Sequence, residues 1–265
     1  MNEQVSVGDI TVNYRVEGPA DGPVVVMAHA LGTNLKIWDQ QVPALVDRYR
    51  IVRYDWRGHG GTDAPEGPYS LDLFVTDAVG LFDALDLDQV HFVGLSTGGM
   101  IAQGLALGHP DRIRSISLCN TASWWPNDEI GSNIDNRRRQ LAAGGMAEVW
   151  DNAKAVFFTD EFIAAAGDRF QATRQAYIAT TATGHVAALH AAAALNYRDQ
   201  LANITAPALV IGSRDDPLTP PSQAETMHKR IPDCEIQLID GRHLSNVDVP
   251  DQFNPRLRAF LDRVS

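Results

Sequence analysis

Cysteine is scarce in this chain, which has only two among its 265 residues, Cys119 and Cys234. Two cysteines are too few for the disulfide framework that stabilises small secreted domains. Cys119 ends an apolar run and Cys234 lies in a turn-like Pro-Asp-Cys stretch. We therefore predict that both thiols are reduced and structural.

The sequence is also short of positive charge and of long apolar runs. It has 22 lysine and arginine residues against 33 aspartate and glutamate residues, a net charge of −11. This charge argues against binding to nucleic acid or to an anionic membrane surface. No apolar run approaches the length of a membrane span, and residues 1–4 lack the basic and apolar segments of a secretory leader. We therefore expect a cytoplasmic protein that acts on a small molecule, with no nucleic-acid or membrane partner and with its oligomeric state left open.

Strand and helix patterns alternate along most of the chain. Short apolar runs of the kind found in buried parallel strands lie at residues 24–27, 51–54, 90–95, 113–119, 207–211 and 235–239. A hairpin is expected at residues 5–16, and helices at residues 37–46, 70–85 and 252–263. The alternation predicts an α/β fold with a doubly wound, mostly parallel sheet of about eight strands, whose ligand sites lie at the carboxyl ends of the strands.

The alternation stops between residues 124 and 197, where an alanine-rich helical pattern contains no convincing strand. Large aromatic residues such as Trp150 and Tyr177 in this segment indicate a packed insertion and not a linker. We predict an α/β core formed by residues 1–123 and 198–265, and a helical cap formed by residues 124–197.

One predicted strand ends in Gly94-Leu95-Ser96-Thr97-Gly98, and a helical pattern follows at once. A turn this tight drives Ser96 toward positive φ and requires small residues two positions away, which Gly94 and Gly98 provide. The serine hydroxyl is then exposed beside the N–H groups of a helix N-terminus, which suit a developing anion. We predict that Ser96 is a nucleophile. The alternative is a glycine-rich turn that only lets the helix pack closely.

A serine nucleophile needs a base to take its proton and a carboxylate to orient that base. Just past their carboxyl ends, the last two predicted strands deliver Asp215 and Asp216, and then His243. The order serine, aspartate, histidine suits a triad in which His243 is the base. We choose Asp216, directly before Pro217, as the orienting carboxylate, with Asp215 as the lesser candidate. The alternatives are a solvated turn and a loop histidine without a role.

Acyl transfer also needs two N–H donors directed at the point where the carbonyl oxygen becomes negative. One is expected from the backbone of Thr97, directly after the serine. The other is expected from the loop after the third strand, and we assign it to the N–H of Leu31. Two histidines in tight loops, His29 and His59, are expected to hold backbone geometry and not to act as the base.

These motifs resemble those of the α/β-hydrolase superfamily and, more narrowly, those of 3-oxoadipate enol-lactonases and related esterases. The similarity rests on the strand–serine–helix turn, on residues 53–60 and on residues 243–247. The similarity covers nearly the whole chain and is weaker in the helical insertion. Two positions depart from the pattern: Ala30 stands where many superfamily members have glycine, and Thr97 stands where methionine is usual in the lactonases.

The resemblance implies a capped hydrolase that cleaves a small ester or lactone through an acyl-enzyme, without a cofactor or metal. An enol-lactone such as 3-oxoadipate enol-lactone is the favoured substrate. A general carboxylesterase, a carbon–carbon bond hydrolase of ring-fission products, a serine perhydrolase and a non-catalytic ligand receptor remain as alternatives. Haloalkane dehalogenases and epoxide hydrolases are disfavoured, because those relatives have an aspartate at the position of Ser96.

Substrate choice is expected to depend on the cap. Trp124 and Trp125 open the insertion directly after a strand, where they either line the pocket or pack between cap and core. Arg137, by its register with the lactonase pattern, is the candidate for binding a substrate carboxylate, a task that suits a bidentate arginine. The alternative for Arg137 is a solvated surface arginine.

Overall fold

The structure is a computed structural model that describes residues 2–125 and 130–265. Its eight strands are β1 Glu3–Val7, β2 Ile10–Glu17, β3 Val24–Ala28, β4 Arg50–Tyr54, β5 Val90–Leu95, β6 Ile113–Cys119, β7 Ala208–Ser213 and β8 Cys234–Ile239. They form one sheet in the order β1-β2-β4-β3-β5-β6-β7-β8. The first two pairings in this order are antiparallel and the other five are parallel. The predicted α/β fold with a mostly parallel sheet of about eight strands is confirmed.

Helices cover both faces of this sheet. They are α1 Val42–Leu45, α2 Leu71–Ala84, α3 Thr97–Gly108, α4 Ile130–Phe157, α5 Asp160–Ala165, α6 Asp168–Ala179, α7 Ala182–Ala193, α8 Pro221–Arg230, α9 Ser245–Asp248 and α10 Pro250–Val264, with 3-10 turns at Leu35–Trp38, Pro110–Arg112 and Arg198–Asn203. The helix α4 is interrupted by a kink at Gly144 and Gly145, whose backbone angles are not helical. Successive side chains of a strand point to opposite faces. Val26 and Ala28 of β3 therefore pack in one apolar core with α2, α3 and α8, and Val25 and Met27 pack in the other with α1, α4 and α10.

The segment that links β3 to β4 differs from its prediction. In place of one helix over residues 37–46, the chain forms the 3-10 turn Leu35–Trp38 and then the four-residue helix α1. Pro43 explains the break, because a proline lacks the N–H that a continuous helix would need there and is tolerated only in a first turn. The buried guanidinium of Arg53 donates to the Leu35 carbonyl and to Asp39, and so binds the 3-10 turn that precedes the break.

Helices α4 to α7 lie between β6 and β7, in the segment predicted to form the cap. Its described residues contain no strand, and an isolated bridge pairs Trp124 with Asn196. The second half of this segment contacts the core closely, since the Tyr69 N–H donates to the Ala187 carbonyl of α7 at 3.2 Å. The division into core and cap stays a prediction, and residues 126–129 of the predicted cap lie outside the described residues.

Both cysteines are free, as predicted. Burial raises the pKa of Cys234 to about 12, helped by neighbouring acidic side chains, and burial raises the pKa of Cys119 as well. Both are therefore thiols, which react slowly compared with thiolates. No helix in the described part of the chain is long and apolar enough to cross a membrane.

Candidate active site

Ser96 stands at the sharp bend between β5 and α3, with φ of 55° and ψ of −115°. Its N–H donates to the Cys119 carbonyl of β6 at 2.9 Å, which ties the bend to the sheet. A Cβ at Gly94 would overlap the carbonyl of Gly98, and a Cβ at Gly98 would overlap the carbonyl of Ala28. The close approach of helix and strands therefore requires glycine on both sides of the serine.

His243, in the loop after β8, lies between Ser96 and Asp216. Its Nε2 is 2.9 Å from the Ser96 Oγ, and its Nδ1 is 2.8 Å from the Asp216 Oδ2. A carboxylate can only accept, so this pattern assigns the proton to Nδ1 and leaves Nε2 free to accept from the serine hydroxyl. All three side chains are buried, whereas the neighbouring Asp215 is exposed. The structure thus brings together the serine, the histidine and the first-choice aspartate of the sequence analysis.

Asp216 is surrounded by hydrogen-bond donors. Its Oδ1 accepts from the backbone N–H groups of Leu218 and Thr219 at 2.9 and 3.0 Å. Its Oδ2 accepts from the Thr219 hydroxyl at 2.6 Å and from the Asn120 amide at 3.0 Å. Burial acts to raise the pKa of Asp216, but the electrostatic and hydrogen-bond interactions with His243 and the donors of Thr219 outweigh it and lower this pKa far below its usual value. The carboxylate is therefore charged at neutral pH.

Asn120 is a site residue that the sequence analysis did not single out. It follows directly after β6 with a positive φ of 40°. Besides contacting Asp216, its amide donates to the Ser213 hydroxyl at 2.8 Å and its oxygen accepts from the Ser245 hydroxyl at 2.6 Å. The available signal was its place at the carboxyl end of the strand next to β5, where polar side chains meet the site.

The two predicted N–H donors, Leu31 and Thr97, both line one cavity with Ser96. Within the described residues, neither backbone N–H has a hydrogen-bond acceptor. His29 and His59 bind backbone groups behind this loop, as predicted: the Trp56 N–H donates to His29 Nε2, and the Gly32 N–H donates to His59 Nε2. Burial lowers the pKa of His29 to about 4 and that of His59 well below its usual value, so both rings are neutral.

The cavity in front of Ser96 has a volume of about 290 Å³ and a mainly apolar lining. Besides the residues named above, its lining consists of Ala30, Met100, Trp125, Asn136, Arg137, Phe157, Tyr177, Leu189, Ala192, Ala193, Pro217 and Leu218. Arg137 donates to the Tyr177 hydroxyl at 3.2 Å, and Trp125 donates to the Ala192 carbonyl at 2.9 Å. Trp124 is not part of this lining, because its ring packs against the Arg198 guanidinium. Of the three predicted substrate-binding residues, Trp125 and Arg137 therefore line the cavity and Trp124 does not.

His185 of α7 is buried next to this cavity, with its ring centroid 5.7 Å from that of Tyr177. Neither ring nitrogen has a hydrogen-bond partner among the described residues. Burial, with a smaller effect of the Arg137 charge, lowers the pKa of His185 to about 3, so the ring is neutral. The described part of the chain contains no group of three or more metal-ligating side chains placed to hold an ion.

A family model for the alpha/beta hydrolase fold matches residues 23–250. The chain belongs to the α/β-hydrolase fold family. This α/β-hydrolase therefore has the fold predicted from its motifs, and the prediction of a hydrolase is confirmed.

Individual relatives of this α/β-hydrolase align over almost its whole length. It is 32% identical over 263 residues to 3-oxoadipate enol-lactonase 2 of Acinetobacter baylyi, with 98% of this chain and 97% of the other covered. It is 33% identical over 257 residues to a putative carbamate hydrolase of Caulobacter segnis, with coverages of 94% and 96%. The crystal structure of the enol-lactonase from Burkholderia xenovorans matches with a TM-score of 0.94 and 31% identity, over 98% of this chain and 100% of that one. The predicted similarity to enol-lactonases is confirmed.

Proposed function

We propose that this protein hydrolyses a small lactone or ester through an acyl-enzyme on Ser96. The continuous hydrogen bonding from the Ser96 Oγ through His243 to Asp216, at the wall of a cavity, carries this proposal. His243 Nε2 takes the hydroxyl proton while Ser96 Oγ attacks the acyl carbon, and the charged Asp216 stabilises the imidazolium that forms. His243 returns the proton to the leaving oxygen and then activates the water that releases the acyl group.

The backbone N–H groups of Leu31 and Thr97 stabilise the oxyanion in this mechanism. Both residues line the cavity beside Ser96, and their N–H groups have no acceptor in the described chain. Thr97 is also the first residue of α3, so its N–H lies at the positive end of the helix dipole. Loss of one such donor typically lowers kcat by about 10²–10³.

The favoured substrate is an enol-lactone that carries a carboxylate, such as 3-oxoadipate enol-lactone. A cavity of about 290 Å³ suits a small molecule, and Arg137 is the cationic side chain among its described lining residues. The similarity to enol-lactonases supports the same choice. Attack of Ser96 on the lactone carbonyl opens the ring and leaves an enol, which becomes a ketone by tautomerisation.

A substrate panel tests the reaction type. Purified protein is assayed with a carboxylate-bearing enol-lactone, a neutral aryl ester, an aryl carbamate and a ring-fission diketone. We expect the highest kcat/KM for the lactone. With an activated aryl ester we expect a burst of product, because acylation is then faster than deacylation and the acyl-enzyme accumulates. A preference for the neutral ester would indicate a general carboxylesterase, and turnover of the diketone alone would indicate a carbon–carbon bond hydrolase. Absence of any turnover would indicate a ligand receptor.

The variant Ser96→Ala tests the nucleophile. It should abolish turnover and leave the fold intact, because the hydroxyl contacts His243 and contributes little to core packing. The matched control is Ser117→Ala in β6, which removes a buried serine hydroxyl that has no partner among the described residues. We expect this control to be active. Retention of a substantial part of the rate by Ser96→Ala would remove Ser96 from the mechanism.

The variant Arg137→Ala tests the carboxylate contact. It should lower kcat/KM for the carboxylate-bearing lactone by roughly 1.5–3 kcal/mol, the range for hydrogen bonds to charged groups, and barely affect a neutral aryl ester. The control is Arg138→Ala, which changes the neighbouring arginine, whose side chain is 58% exposed. Equal losses for both substrates would mean that Arg137 only supports Tyr177, and no loss would remove it from substrate binding.

A further inference from the structure

The carbonyl oxygen of Ala30, in the loop after β3, accepts three hydrogen bonds. Two donors belong to Thr33, its backbone N–H at 3.1 Å and its hydroxyl at 2.8 Å. The third is the Nδ1 of His29 at 2.9 Å. The Nδ1 carries the proton of this ring, because its Nε2 accepts from the Trp56 N–H. A single carbonyl with three donors is strongly held in its orientation.

These donors stand outside the described lining of the cavity at Ser96. Neither Thr33 nor His29 belongs to the described lining of the cavity at Ser96, and Thr33 lines a separate surface cleft beside α6. In a planar trans peptide the C=O and the N–H point in opposite directions. Anchoring the Ala30 oxygen on the side of Thr33 therefore directs the N–H of Leu31 toward the cavity.

The next peptide group is also held. The Gly32 N–H donates to His59 Nε2 at 2.9 Å, and Gly32 has a φ of 77°, a conformation that suits glycine. A flip of the Ala30–Leu31 peptide would remove all three hydrogen bonds from the Ala30 oxygen. The flipped peptide would direct a carbonyl oxygen, and not an N–H, at the acyl oxygen of the substrate.

We propose that the Thr33 hydroxyl is a positioning group that keeps the Leu31 N–H directed at the developing oxyanion. This inference rests on the proposed function, since it takes the Leu31 N–H as an oxyanion donor. Thr33 acts only through the Ala30–Leu31 peptide and does not contact the substrate. Its effect is therefore expected in the transition state, where the oxygen is negative, and much less in the ground-state complex.

The test is Thr33→Val, which removes the hydroxyl and keeps the branched shape and the backbone N–H. We expect kcat to fall about 5- to 50-fold and KM to change less than about twofold, since complete loss of a donor costs about 10²–10³. Affinity for a boronic acid, which forms a tetrahedral anion on Ser96, should fall by a similar factor. Binding of the reaction product should be unchanged. Thr33→Ser, which retains the hydroxyl, should restore most of the rate, and Thr33→Ala serves as the second variant if the valine variant does not fold.

The matched control is Thr173→Val in α6, which removes another buried threonine hydroxyl, one that donates to the Arg169 carbonyl at 2.9 Å. It should keep the kcat of the wild type. The positioning role would be overturned if Thr33→Val kept the kcat and the boronate affinity of the wild type. Equal losses in Thr33→Val and Thr33→Ser would overturn it as well. Either result would leave the proposed function intact. A wild-type protein without Ser96-dependent turnover would overturn the proposed function, and this inference with it.

Discussion

Acidification from pH 7 to pH 5 should destabilise the protein through histidines that are buried without charge, and His185 is the clearest case. Its ring nitrogens have no hydrogen-bond partner among the described residues, and it faces Tyr177, the Arg137 cation and His59. Burial, the larger cause, and the Arg137 charge lower its pKa from 6.5 to about 3. As pH falls below about 6.5, the unfolded chain binds a proton at this position that the native protein does not bind. The contribution of the neutral ring to the free energy of unfolding is therefore fully present above about pH 6.5 and decreases as the pH falls below that value.

The size of the effect follows from these two pKa values. With about 6.5 in the unfolded chain and about 3 in the native protein, His185 removes about 2 kcal/mol of stability between pH 7 and pH 5. The variant His185→Leu lacks this titration and forfeits no hydrogen bond to a described residue. Its free energy of unfolding should therefore depend less on pH than that of the wild type, by about 2 kcal/mol. If the free energy of unfolding falls by about 3 kcal/mol per molar urea, the shift of the urea midpoint between pH 7 and pH 5 should be about 0.7 M smaller in His185→Leu than in the wild type.

The assay is urea unfolding of both proteins at pH 7 and pH 5, followed by tryptophan fluorescence. Other buried histidines, such as His29 and His91 with pKa values lowered by burial to about 4, contribute equally to both proteins and cancel in the comparison. The control is His190→Leu, the same change on the same helix at a half-buried histidine, which measures the effect of the substitution itself. Equal losses of stability in the wild type and in His185→Leu would refute the argument from burial.

Two further predictions concern the predicted triad and the bend at the serine. Asp216→Asn should lower kcat about 10⁴-fold, because asparagine stabilises the wrong imidazole tautomer. Asp215→Asn should change kcat only a few-fold. Steady-state kinetics that show the reverse order of the two losses would contradict the choice of Asp216. Gly98→Ala should destabilise the protein by about 2 kcal/mol or more, because the added Cβ would overlap the Ala28 carbonyl. In the control Gly108→Ala the added Cβ meets no other atom, so this variant should stabilise α3 by about 0.5–1 kcal/mol. Thermal unfolding distinguishes the two, and equal melting temperatures would mean that the bend has room for a side chain.

Several features of the fold and of the candidate site follow from local chemistry in the sequence. The strands were predictable because short apolar runs between turn residues suit a sheet covered on both faces, and the structure has strands at all of them. The bend at Ser96 was predictable because only glycine fits where a helix and two strands approach so closely. Parallel strands end at one edge of a sheet, so Asp216 and His243 were expected near Ser96, and they lie within hydrogen-bond distance of one another. Their catalytic roles stay a proposal.

Other features depend on contacts between segments that are distant in sequence. Helical spacing over residues 37–46 concealed a break, since Pro43 suits only the first turn of a new helix. Arg53, which binds the 3-10 turn before this break, comes from the neighbouring strand. Asn120 became a site residue only when β6 and β7 were placed side by side, with Ser213 and Asp216 at its amide.

The residues of the predicted cap show most clearly that contacts between distant segments decide where a side chain points. Trp124 and Trp125 are adjacent and chemically identical, yet only Trp125 lines the cavity, because the ring of Trp124 packs against Arg198. Arg137 and Arg138 are also adjacent, and the packing of α4 against α6 directs Arg137 to Tyr177 and Arg138 to solvent. Composition and spacing determine which residue types are available at such positions, whereas the direction of each side chain is decided by the helix packing of the folded chain.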